Sequence, residues 1–85
     1  GGRGPAYPAE AKARGMSGTV LAQFVVDVDC TVVPGSIRIV RSTDSLFSAA
    51  VEQFLPQARF KPAQNGGQAV KQLLQQPFEF ATPKN

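Results

Sequence analysis

The stretch from Gly18 to Asp29, GTVLAQFVVDVD, most constrains what this chain can become. Val20, Ala22, Phe24, Val26 and Val28 share one parity, the two-residue period of a strand. Leu21 and Val25 fall on the opposite parity, among Thr19, Gln23 and Asp27. A strand with apolar residues on both faces suits the middle of a sheet. It therefore needs a neighbour on each side.

Two further runs supply those neighbours. The turn DCTV at 29–32 is followed by VPGSIRIVRS at 33–42, in which Pro34-Gly35 marks a turn or bulge. Ile37 and Ile39 share one face of this second strand, Arg38 and Val40 the other. Strands joined by a short turn pair antiparallel. The third run is VKQLLQQPFEF, Val70 to Phe80. Val70, Gln72, Leu74, Gln76, Phe78 and Phe80 form its inward parity; Lys71, Leu73, Gln75, Pro77 and Glu79 form the other. Pro77 cannot donate to a strand ladder, so this strand belongs at an edge, with its proline phase outward. That places the backbone groups of Lys71, Leu73 and Gln75 on the open side. Lys71 and Glu79 alone guard it.

Two helices complete the pattern. In AYPAEAKARG, Pro8 suits the first helical position, and Glu10, Lys12 and Arg14 match the helix dipole. Gly15 ends that short helix, and Tyr7 packs beside it. Between 42 and 60, Phe47, Ala50, Val51, Phe54, Leu55 and Ala58 follow a helical stripe, with caps offered from Ser42 to Ser45. Pro56 loosens the last turn. The segment KPAQNGGQA reads as a turn. The expected fold is α+β: a three-stranded antiparallel sheet with two helices on one face, in the order helix, strand, strand, helix, strand. Residues 1–6 read as a linker end or cloning scar, 7–82 as one domain and 83–85 as a tail.

The residue inventory excludes most chemistry. The 85 residues include no histidine and one cysteine, Cys30. Nucleophilic triads and cysteine–histidine pairs lack their base, and no plausible metal ligand set remains. Gly66-Gly67 precedes Gln68, not the lysine and hydroxyl of a phosphate loop. No enzyme, catalytic residue, cofactor or metal is expected. Asp27 and Asp29 share a strand face, as solvated acids beside a turn. Cys30 reads as an exposed turn thiol, strained if its position needs positive φ. The net charge of +3 is spread over scattered bases. A nucleic-acid binder would show aromatics on the open sheet face, whereas Phe24, Phe78 and Phe80 carry inward parity.

In order and spacing, Tyr7-Pro8, Gly15, Gly18, VLAQFVVDVD, Val32, Ser42, Ala49-Ala50, ARFKPA, Gly66-Gly67, Val70 and the closing FEF are distinctive. Together they resemble the carboxy-terminal domain of TonB energy transducers. The chain departs from that pattern at Cys30, where the family usually has glycine, and at Ala58, where it often has tryptophan. The resemblance implies a periplasmic domain, the soluble end of a protein anchored in the inner membrane. Such a domain binds the TonB box of outer-membrane transporters, for cargo such as siderophores, by adding it to the last strand. It draws energy from inner-membrane motor proteins through an amino-terminal tether. The implied peptide-binding residues are Val70, Lys71, Gln72, Leu73, Leu74, Gln75 and Gln76, with Tyr7 an additional contact. A TolA-like domain, or a homodimer formed by edge pairing or strand exchange, is the alternative.

Overall fold

The computed structural model describes residues 4–82. The elements are α1 (Ala9–Ala13), β1 (Gly18–Val26), β2 (Arg38–Ser42), α2 (Ser45–Phe54), β3 (Ala63–Asn65), β4 (Gln68–Val70) and β5 (Gln72–Phe80). The fold is α+β, and its main sheet is antiparallel in the order β2-β1-β5. Residues 1–3 of the expected linker and the whole of the expected tail, residues 83–85, lie outside the described residues.

β1 is central, as its two-faced apolar pattern requires. All nine of its residues pair with β5, from Gly18 opposite Phe80 to Val26 opposite Gln72. Val20, Ala22, Phe24 and Val26 are fully buried on the helix side, with Phe78 and Phe80 nearly so. Val28 breaks the expected parity and is 52% exposed, because β1 ends at Val26 and Val28 sits in the turn beyond it.

The second strand is shorter than the sequence predicts. Pro34-Gly35 forms a turn, with the Ser36 N–H donating to the Val33 carbonyl, and Ile37 precedes β2. A bulge then leaves Val40 without a partner, between Arg41 opposite Leu21 and Ile39 opposite Ala22. The extra residue shifts the phase of β2. Arg41, which simple alternation places with Ile39, therefore shares a face with Arg38.

Both helices cover the same face. Asp44 caps α2 by accepting the Leu46 N–H at 2.9 Å. The stripe buries Phe47, Val51 and Leu55 completely, and Phe54 meets Phe78 edge-on at 6.2 Å. Pro56 has the expected effect: the α-helix ends at Phe54 and tightens into one 3-10 turn, Leu55–Gln57. Ala58 is buried but lies beyond the helix, in extended backbone.

α1 is short, and Pro8 is its N-cap rather than its first helical residue. Its end is fixed by two backbone bonds, from Gly15 N–H to the Lys12 carbonyl and from Met16 N–H to the Ala11 carbonyl. That pairing needs a left-handed residue, and Gly15 has φ +66°. Gly18 is required for space instead: a methyl there would collide with Thr43 Oγ1 and lie 2.7 Å from the Phe47 ring. The Phe47 ring stacks on Phe80 at 4.6 Å and receives Tyr7 edge-on at 5.9 Å. Aromatic pairs of this kind contribute ~0.5–1.5 kcal/mol each beyond area burial.

The single last strand expected from Val70 to Phe80 is divided. Residues 63–70 form a separate hairpin, β3 with β4, around the two-residue turn Gly66-Gly67. Val70 pairs with Ala63 there, and Lys71 joins β4 to β5. The turn is marked in the sequence by Gly66-Gly67 but its arms are not, because Ala63-Gln64-Asn65 carries little strand propensity.

Candidate functional site

The outer edge of β5 is a nine-residue strand with no neighbour beyond it among the described residues. Its hydrogen-bonding phase follows from β1. The Thr43 N–H donates to the Thr19 carbonyl at 3.1 Å, and the Val33 N–H to the Val25 carbonyl at 2.9 Å. The Val25 N–H donates to Ser36 Oγ at 3.1 Å. Odd residues of β1 thus turn their backbone groups away from β5, so its even residues face β5. Their partners are Gln72, Leu74, Gln76, Phe78 and Phe80. The backbone groups of Leu73, Gln75, Pro77 and Glu79 point out to the open edge. Pro77 stands opposite Leu21 in this outward phase, so its missing N–H removes nothing from the internal ladder.

Gln72 to Gln76 therefore lie together on the edge strand, alternating between internal ladder and open side. Val70 and Lys71 do not belong to β5. Leu73 is the largest apolar group exposed on the strand, at 61%. Lys71 and Glu79 bracket the edge, with no charged residue between them.

Tyr7 is half-buried and works mainly within the fold. Its hydroxyl donates to the Met16 carbonyl, and its ring meets Phe80 edge-on at 5.8 Å. It also lines a cleft of about 1140 Å³ on the helix side of β5, together with Ala50, Phe54, Phe60, Gln76 and Phe78. Nothing in the sequence announced this cleft, since it depends on how residues 4–8 pass beside α2.

Cys30 is half-buried rather than exposed, a correction with a clear cause. The segment after the 3-10 turn crosses the β1–β2 connection, and the Phe60 N–H donates to the Cys30 carbonyl at 2.8 Å. Cys30 adopts φ +74°. In the same turn Thr31 donates to Asp29 Oδ1 through its hydroxyl at 2.5 Å and its N–H at 3.1 Å. These bonds hold the Asp29 carboxyl below its ordinary range. Among the described residues, no three metal-ligating side chains gather, and no helix is long and apolar enough to cross a membrane.

The geometry defines a small α+β domain whose distinctive surface is an unpaired strand edge. The family described as Gram-negative bacterial TonB protein C-terminal matches residues 3–82, and the chain belongs to it. It is similar to a solution NMR structure of the Pseudomonas aeruginosa TonB CTD, with 30% identity and a TM-score of 0.80. That likeness covers 98% of this chain and 83% of the other. No curated protein matches. Domains of this family are transducer and interaction modules.

Proposed function

We propose that this domain captures the TonB box of an outer-membrane transporter as an added fourth strand on β5. The observation that carries this reading is the outward backbone phase of Leu73 and Gln75 on a long, lightly guarded edge. Backbone hydrogen bonds to those residues supply affinity, and alternate side chains supply selectivity. Family membership supports a place in the periplasm of a Gram-negative cell. In this reading residues 7–82 form the binding unit, at the end of a tether from the inner membrane. Motor proteins act through that tether, and the work is coupled to uptake of cargo such as siderophores.

The test is titration of a synthetic TonB-box peptide into the wild-type domain and a Leu73→Pro variant. The variant stays folded by circular dichroism and loses peptide affinity roughly tenfold, the equivalent of one or two ladder bonds. Unchanged affinity overturns the edge assignment. Sedimentation over a concentration series distinguishes the competing use of this edge, pairing with a second copy.

A further inference from the structure

We infer that the helix-free face of the sheet is a second docking surface, fitted to an acidic stretch of polypeptide. The bulge at Val40 creates it. Residues three apart on a regular strand face opposite ways, yet Arg38 lies opposite Gln23 and Arg41 opposite Leu21. Both arginines therefore stand on the face away from the helices, about 6.6 Å apart along the strand direction. Both are exposed, and neither joins an ion pair among the described residues, where the pair formed is Arg14–Glu10.

Their surroundings decide the partner. Leu21, Gln23 and Val25 are half-buried beside them, and Leu73 stands opposite Val25. The carboxylates of this parity lie toward the two ends: Glu79 opposite Thr19, and Asp27 just past β1, where its Oδ1 accepts the Val28 N–H. Two guanidiniums over a floor of aliphatic and amide groups suit carboxylates interleaved with aliphatic side chains. Nucleic acid fits less well, because Phe24, Phe78 and Phe80 are buried on the helix side and leave no ring here for a base to stack on. An anionic lipid surface needs a denser basic field than two arginines interrupted by glutamines and a glutamate. The two arginines that select the partner stand on β2, at the opposite side of β1 from the β5 edge, so their replacement tests this surface separately from strand capture.

The test is an amide-resolved NMR titration with a short synthetic peptide of glutamate and leucine. Lysine-for-glutamate peptide and phosphatidylglycerol vesicles serve as controls. Shifts fall on Leu21, Gln23, Arg38 and Arg41, and added salt suppresses them. Affinity drops roughly tenfold in the Arg38→Gln/Arg41→Gln variant. In Arg38→Glu/Arg41→Glu the preference reverses to the lysine peptide. Melting curves verify that the variants fold, as expected for exposed positions. Absence of binding, shifts confined to β5, undiminished binding by the glutamine variant, or binding to vesicles but not to peptide each overturns the inference.

Discussion

The two sides of β1 are finished in different ways. Toward β5, a single straight strand pairs with every residue of β1. Toward β2, only four residue pairs form, with a bulge among them, and the connecting loop does the rest. Val33, Ser36 and Thr43 each hydrogen-bond the flank of β1 that β2 does not reach. The outer edges inherit this difference. β2 is short, bulged and armed with two arginines, which are the devices by which sheets discourage further pairing. β5 is long and regular, with Pro77 and Glu79 confined to one end. One edge is closed by irregularity, and the other is kept open by regularity.

The largest effect is expected from a proline in the internal phase of β5. Leu74→Pro removes a ladder bond to Phe24 and disturbs the packed face, and is expected to cost about 3 kcal/mol or more, enough to unfold a domain this small. Thermal melts followed by circular dichroism show it. If Leu74→Pro melts like wild type while Leu73→Pro collapses, the inner and outer phases are reversed.

Gly18→Ala probes the corner where the two sides meet. The added methyl displaces Thr43 and Phe47, loosening the β2 side at its first contact. Stability falls by about 1–3 kcal/mol, and the peptide affinity of the folded fraction is unchanged. Denaturant titration gives the first quantity and calorimetry the second. A selective loss of affinity instead shows that the corner shapes the β5 edge.

Cys30→Gly tests the backbone strain in the connecting loop. Cysteine at φ +74° is strained where glycine is not, so the variant gains about 1 kcal/mol. Contacts of the half-buried thiol oppose this gain, and a lower melting temperature shows that they dominate.

The smallest effect expected is at Asp29, in the same loop. Its carboxyl is held below the ordinary value of 3.8, so the unfolded chain takes up this proton first. The stabilisation is present above that value and fades as pH falls through the lower folded value. Asp29→Asn flattens this acid limb in melts recorded across it. An unchanged limb assigns acid sensitivity to other carboxylates.

Much of this contrast was legible in the residues. Apolar groups on both parities of β1 fixed its central place, and Pro77 within an alternating run marked β5 as an edge. The stripe from Phe47 to Leu55 defined the covering helix. The bulge was not legible, because IRIVRS offers no glycine or proline at Val40 and alternates acceptably in either phase. Only pairing against β1 decides which residue is skipped, and with it the direction of Arg41. The hairpin of β3 and β4 escaped for a related reason. Its turn is written in Asn65-Gly66-Gly67, but its three-residue arms are short and unburied, held by each other rather than by a packed face.

The hydrogen bonds between β1 and β5 run across the strands, in antiparallel register over nine residues. A pull along the strand axis therefore loads them in shear and shares the force among many bonds. A pull at right angles, applied at one end, peels them singly. The sheet is mechanically anisotropic, stiff lengthwise and compliant sideways, and any strand added to β5 inherits the same grain.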